Sequence, residues 1–171
     1  MWVSDASALE RRNRLREVIG DLGLADSVDE VVQIIRISAR MIAGADGITF
    51  VRREGEFVHY VAEDAIAPLW TGQRFPIGSC ISGLAMLARE PITIPDVFAD
   101  PRVPHAAYEP TFVKSMAMVP LGITEKHAAI GAYWNRAGKI DADTIELLSA
   151  LAQAAALALE ALAPDTGERA A

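Results

Sequence analysis

The sequence has a single cysteine, Cys80, few aromatic residues and more acidic than basic side chains. One cysteine excludes an internal disulfide and a metal site built from two or three thiolates, and it fits a reducing compartment such as the cytoplasm. The formal net charge of -7 disfavours nucleic-acid partners, because their binding depends on cations that neutralise phosphates. We recognise neither a signal peptide nor the roughly 20 apolar residues of a membrane span, so we expect a cytoplasmic protein without membrane attachment.

Motifs of common catalytic centres are also missing. There is no glycine-rich phosphate loop, and the three histidines share no metal-ligand spacing. The run 78–83 lacks the glycine that must follow the nucleophile by two positions in a nucleophile elbow. Asp96, Asp100 and Glu109 could provide paired carboxylates, although aspartate beside proline is typical of turns. The sequence therefore predicts no catalytic residue and no metal, and it identifies no cofactor.

What the sequence does contain is a clear series of periodic segments in 171 residues, the length of one domain. Apolar residues at helical intervals predict two helices before Gly44, the second capped by Ser27, and a period of two predicts a β-hairpin after Gly47. Next come a short helix over 79–89, strand 92–94, a loop over 96–114, strands 115–121 and 128–134 joined by a charged turn at Glu125 and Lys126, and a helix to Leu162 capped by Asp143 and Glu146. This order predicts an α+β fold, one antiparallel sheet with the terminal helices on one face and the long connections on the other.

Two features of this scheme could carry function. Cys80 lies at the start of the predicted short helix, where the helix dipole can stabilise a reactive thiolate, but a free cysteine is equally typical of a buried packing position. Aromatic residues gather around the long connections and at one strand end, where they could line a ligand cavity or close a core. They are Trp70, Phe75, Phe98, Tyr108, Phe112 and Trp134.

From about residue 27 to residue 162 the sequence resembles a GAF domain, the small-molecule sensor module of bacterial histidine kinases and response regulators. The resemblance is carried by segments 75–85, 92–102, 112–121, 129–134 and 145–148. It implies a GAF-like fold whose pocket lies on the sheet face opposite the terminal helices. No kinase or receiver sequence follows in this chain, so we expect a sensor without its own catalytic output.

Three specialisations of the family can be compared with the residues. The phosphodiesterase motif for cyclic nucleotides is missing at 98–101, and Cys80 lies earlier than the cysteine that holds bilin chromophores. Free methionine sulfoxide reductases of this fold use more than one cysteine, because a resolving thiol regenerates the nucleophile. With one cysteine, this chain is not expected to be an enzyme.

Strand alternation assigns side chains to the implied pocket. Ser115, Ala117 and Val119 are expected to face it, as are Ile130, Ala132 and Trp134, with Met116, Met118 and Gly131 toward the helices, while the opposite parity remains open. The predicted ligand-binding residues are Trp70, Phe75, Cys80, Asp96, Tyr108, Phe112, Ser115, Ala117 and Trp134.

The predicted organisation is an amphipathic signalling or dimerisation helix over 1–24, a GAF domain over 25–163 and a disordered tail over 164–171. Apolar positions of the first helix (Ala8, Leu15, Val18 and Leu22) could pair two copies or fold back on the same chain. We expect a regulatory domain that senses an unidentified small molecule, acts as a homodimer and serves a signalling partner such as a histidine kinase. The alternatives are a ligand-free interaction or dimerisation module and a redox sensor based on Cys80.

Overall fold

The computed structural model describes residues 2–122 and 128–162 as one antiparallel six-stranded sheet with helices on both faces. The helices are α1 (Trp2–Gly23), α2 (Val28–Ala43), α3 (Ile81–Ala88), α4 (His105–Tyr108) and α5 (Ala142–Leu162), with a 3-10 turn at Ile77–Ser79. The strands are β1 (Gly47–Glu54), β2 (Phe57–Ala65), β3 (Arg74–Pro76), β4 (Ile92–Ile94), β5 (Ser115–Pro120) and β6 (Ala128–Trp134), in the spatial order β3-β2-β1-β6-β5-β4. The predicted turn at Glu125 and Lys126 and the predicted tail 164–171 lie outside the described residues.

The predicted α+β architecture is confirmed, with α1, α2 and α5 on one face of the sheet. One strand was not predicted: β3 pairs with β2 at the sheet edge, where Phe75 lies opposite Val58. A segment of three residues that ends in proline is too short to show a period of two, and proline is confined to edge positions because it cannot donate to the ladder.

Local capping chemistry explains where two helices begin. Ser27 Oγ accepts a hydrogen bond from the Glu30 amide at 3.1 Å, as its position before α2 predicts. At α5 the cap is Asp141 and not the expected Asp143, because the Thr144 amide donates to Asp141 Oδ1 at 2.8 Å. The prediction failed at Asp143 because both aspartates precede the same apolar run.

The core between the sheet and the terminal helices includes one side of α1. Leu15, Val18 and Leu22 are buried against α2 and α5 of their own chain, so these three positions fold back on the same chain. By length and composition α5 could cross a membrane, but the core helix of a soluble protein passes the same test. Its buried residues, among them Ala152 and Ala155, pack in this core.

The two faces of β5 and β6 are the reverse of the expected ones. Ala117 and Val119 on β5, with Ile130, Ala132 and Trp134 on β6, belong to the core beneath the helices. Met116, Met118 and Tyr133 belong to a second core under the long connections. The alternation itself is correct, but a period of two does not say which face the helices cover. Alanines at 117 and 132 let the helices approach closely, and the larger Met and Tyr side chains fill the other side.

Gly131 is on the face opposite the helices, contrary to expectation, and its missing side chain accommodates a hydrogen bond. A Cβ there would lie 2.7 Å from Thr49 Oγ1 and closer still to the Tyr133 hydroxyl. These two oxygens are 2.8 Å apart in the buried sheet face. Gly131 therefore makes room for the Tyr133 phenol above its own strand.

Candidate functional site

A small pocket, here called the aromatic pocket, lies between the sheet and the long connections, as the fold resemblance implied. It is lined by Tyr60, Trp70, Phe75, Cys80, Pro104, Ala107 and Tyr108. Its free volume is about 10 Å³, about what a single water molecule needs. In this conformation the chain's own aromatic side chains occupy most of the pocket, so they close a core here, one of the two roles that the sequence left open.

Trp70 is the centre of this aromatic group. Its ring centroid lies 4.7 Å from that of Tyr108, 5.3 Å from that of Tyr133 and 5.5 Å from that of Tyr60. Its Nε1 donates to the Ala107 carbonyl at 3.0 Å. The indole thus joins the connection before β3 to the connection that contains α4, and together the two segments cover the sheet.

Polar groups form one buried end of the pocket. The Tyr60 hydroxyl is 3.2 Å from Ser82 Oγ, which is 3.4 Å from Cys80 Sγ, and the thiol donates to the Pro76 carbonyl at 3.6 Å. Burial raises the pKa of the Tyr60 phenol, with a further contribution from Cys80. Because burial raises its pKa, the Tyr60 phenol stays neutral at physiological pH, and a buried pocket of this kind suits an uncharged ligand better than an ion.

Glu63 on β2 holds the segment that carries Trp70. Its carboxylate accepts the backbone amides of Leu69 at 2.8 Å, Trp70 at 3.0 Å and Thr71 at 2.8 Å, and the Thr71 hydroxyl at 2.6 Å. Burial alone would raise the pKa of Glu63, but the hydrogen bonds from Thr71, Leu69 and Trp70 outweigh burial and lower the pKa. One carboxylate therefore fixes the backbone of the cover.

We expect Glu63→Gln to destabilise the fold by about 1 to 3 kcal/mol at neutral pH, because the amide group of glutamine cannot accept hydrogen bonds at both of its terminal atoms. Since folding lowers the pKa of Glu63, its contribution is complete above the ordinary value of 4.5 and is lost as the pH falls through the folded value. Urea unfolding at pH 7 and at pH 3 measures both effects, and the difference between wild type and variant should shrink at pH 3.

Glu56→Gln is the matched control, since Glu56 has an 85% exposed side chain and a single 4.0 Å contact with Arg53. Its effect should stay within about 0.5 kcal/mol. Equal losses in the two variants at pH 7 would contradict the role given to Glu63.

The predicted ligand-binding residues separate into groups. Trp70, Phe75, Cys80 and Tyr108 come together in the aromatic pocket. Asp96 is exposed in a turn, where Oδ1 accepts the Phe98 amide, and it lies outside the pocket. Phe112 packs against Gly47, whose absent Cβ would lie 2.9 Å from the Phe112 Cζ.

The other three predicted residues are corrected to the helix side of the sheet, because the expected parity of β5 and β6 was reversed. Ala117 is buried in the core beneath α1, α2 and α5. Ser115 Oγ donates to the Arg136 carbonyl at 2.7 Å, and Trp134 Nε1 donates to the Gly44 carbonyl at the end of α2 at 2.8 Å. None of these three lines the aromatic pocket.

Sequence reasoning missed three residues that shape the pocket: Tyr60, Ser82 and Glu63. Tyr60 could have been found, since it shares the parity of the apolar Val58 on β2 and both are buried on one face. Ser82 lies two residues after Cys80 at the start of a helix, and no sequence pattern there indicates that its hydroxyl bonds to a pocket residue. Glu63 gives no sequence signal, because its partners are mostly backbone amides of residues 69–71.

Comparison with known proteins gives a consistent result for the fold. A family profile described as GAF domain matches residues 25–160. The chain is similar to the GAF domain of a phosphoenolpyruvate-protein phosphotransferase from Coxiella burnetii, at 14% identity and a TM-score of 0.77 over 95% of this chain and 98% of that one. A phycoerythrobilin-bound GAF domain from a cyanobacterial phytochrome matches with 16% identity and a TM-score of 0.67, covering 87% and 93%. The search of curated proteins finds no significant match.

One similar structure corrects an expectation. The free methionine-R-sulfoxide reductase of Neisseria meningitidis, solved in complex with its substrate, has 18% identity and a TM-score of 0.77, covering 96% of this chain and 93% of that one. The expectation that the chain is not an enzyme is therefore contradicted, because the same fold supports an enzyme. Because the chain has one cysteine, it cannot supply its own resolving thiol. Thiol–disulfide exchange can nevertheless use a thiol from another molecule.

Proposed function

This chain belongs to the GAF domain family, whose members are sensory, ligand-binding domains, and we propose that it senses a small uncharged aromatic molecule in the aromatic pocket. The observation that carries the proposal is the buried polar group of Tyr60, Ser82 and Cys80 beside the ring of Trp70. Ligand sites commonly combine an apolar lining with a few placed polar groups of this kind.

The proposed ligand competes with Trp70 for the same space. With the indole in place the pocket holds about 10 Å³, so occupancy requires Trp70 and its segment to move outward. The contacts that resist this movement are the indole hydrogen bond to Ala107 and the Glu63 carboxylate. Closed and occupied states then differ in the position of the cover, and a ligand shifts such an equilibrium by its differential affinity.

We propose that β6 carries the change to the terminal helices. Tyr133 contacts Trp70 on the pocket side, with ring centroids 5.3 Å apart. The next residue, Trp134, donates to the carbonyl of Gly44 at the end of α2 on the helix side. Displacement of Trp70 would alter the packing of Tyr133 and, through the adjacent peptide, the contact of Trp134. A second copy and a kinase-type signalling protein in the cytoplasm are the proposed receivers of this change.

Thermal unfolding with a panel of indole, p-cresol, free methionine-R-sulfoxide and biliverdin tests the ligand class. We expect saturable stabilisation by a small aromatic member, reaching about 2.7 kcal/mol at 100 times its dissociation constant. Preferential stabilisation by the sulfoxide, followed by its reduction with added thiol, would replace the sensor proposal with an enzymatic one.

Ala107→Leu and Ala106→Leu form the matched pair for this experiment. Ala107 lines the pocket, whereas its neighbour Ala106 is exposed. The added side chain at 107 should abolish stabilisation by the aromatic probe, and the same change at 106 should leave it intact. Stabilisation by no member of the panel, or equal loss in both variants, would contradict binding in the aromatic pocket.

A second candidate function is an interaction module that signals by protein contact alone. The filled pocket favours it, as do exposed apolar side chains on the outer surface of the helices: Ile37 is 62%, Met41 48% and Leu157 57% exposed. Protein interaction surfaces are typically marked by such groups when they form a patch. Self-association at micromolar concentration together with a silent ligand panel would favour this candidate.

A further inference from the structure

A second cleft lies at the end of the sheet where the terminal helices meet, on a different surface from the aromatic pocket. It is lined by residues that include Arg11, Gly44, Trp134, Arg136, Lys139 and Thr144. We call it the basic cleft. Arg11 precedes the part of the chain matched by the family profile, so the cleft combines family elements with α1.

Arg11 is held rigidly at the wall of the basic cleft. Its Nε donates to the Ile42 carbonyl at 2.8 Å, and its Nη2 donates to the Ala43 carbonyl at 3.2 Å and to Thr144 Oγ1 at 2.7 Å. Among the side chains that the structure describes, in residues 8–122 and 128–162, none accepts a hydrogen bond from Nη1. A guanidinium fixed in this way loses little conformational entropy when it binds one more acceptor.

Gly44 keeps the face of this guanidinium accessible. It ends α2 with φ 60°, and a Cβ there would lie 3.5 Å from the Arg11 Cζ. A side chain at this position would be strained and would cover the cation. The same glycine presents its carbonyl to Trp134 Nε1, which fixes the adjoining wall.

Charge around the basic cleft is opposite in sign to that of the chain. Arg136 and Lys139 join Arg11 there, against one carboxylate, that of Asp141. The hydrogen bond from the Thr144 backbone amide lowers the pKa of Asp141, and the positive charge of Arg11 lowers it further, so this carboxylate both caps α5 and offsets part of the charge of Arg11. Three cations therefore concentrate at one concave site on a protein whose net charge is -7. Such a concave, positively charged site attracts anions.

The size of the basic cleft limits the anion. Its volume is about 150 Å³, below the roughly 300 to 1,000 Å³ of sites for drug-sized organic ligands. We propose that the basic cleft binds a small oxyanion, either inorganic phosphate or a small dicarboxylate, between Arg11, Arg136 and Lys139. Because α1, α2 and α5 all reach this cleft, a bound anion would join the three helices at one end.

Titrations with inorganic phosphate and with succinate, at ionic strength held constant with sodium chloride, test the proposal and distinguish phosphate from a dicarboxylate as the bound anion. We expect saturable binding of one probe, with amide NMR shifts of Gly44 and Gly138 moving together. Arg136→Gln with Lys139→Gln should weaken binding about tenfold or more, the cost of losing charge-assisted contacts.

Arg16→Gln with Arg36→Gln is the control. Both arginines are exposed and lie outside the cleft, and the two substitutions remove as much positive charge as the pair at 136 and 139. This double variant should change the affinity by less than about twofold, because screening weakens distant charges. Non-saturable shifts with both probes, or equal weakening in the two double variants, would overturn the proposal.

Discussion

Gly83→Ala is expected to lower the free energy of unfolding by at least about 3 kcal/mol, at or above the upper end of the usual cost of overpacking. Gly83 lies in α3, where the helix meets the 3-10 turn at Ile77–Ser79. A Cβ at 83 would lie 2.6 Å from the Ile77 carbonyl carbon and closer to its oxygen. Because the obstacle is backbone, rotamer changes cannot relieve it, and α3 must move away from the turn.

Gly78→Ala is the matched control, since a Cβ at Gly78 would meet nothing within 4 Å. The free energies of unfolding of the two variants, measured by chemical denaturation, should therefore differ by the whole cost expected for Gly83→Ala. α3 carries Ser82, so the Gly83 variant should also disturb the pocket, which the tyrosine near-ultraviolet circular dichroism would report. Equal stabilities of the two variants would contradict the close contact between α3 and Ile77.

Trp70→Ala is expected to cost about 3 to 5 kcal/mol, the range for truncating a buried tryptophan. The indole is 4% exposed, contacts three tyrosines and satisfies the Ala107 carbonyl. The truncation also enlarges the aromatic pocket by the volume of the lost ring. Added indole should then bind the variant and restore part of the lost stability, as apolar cavities bind small aromatic molecules.

Trp134→Ala distinguishes this rescue from a general effect of indole. Trp134 is 8% exposed and lies on the helix side of the sheet, so a comparable loss of stability is expected there. Rescue of both variants by indole would show unspecific binding. If indole stabilises neither variant, although circular dichroism shows that Trp70→Ala is folded, the result would contradict a pocket that opens when the Trp70 side chain is removed.

How far the sequence predicts this structure depends on the range of each interaction. β6 was predicted as 128–134 and is found at Ala128–Trp134, because alternation is local. The cap at Ser27 was predicted for the same reason. The face that Trp134 takes depends on which side the helices cover, and the partner of Trp70, Ala107, is 37 residues away. Such contacts leave no periodic signal, so only part of the pocket could be predicted.

The two margins of the sheet have a consequence for solubility. β3 and β4, the outermost strands, are three residues long each, and β3 ends in Pro76. Short, proline-containing borders offer few unpaired amides and carbonyls on which a foreign strand could template. Short edge strands of this kind disfavour sheet-to-sheet pairing between copies of the chain.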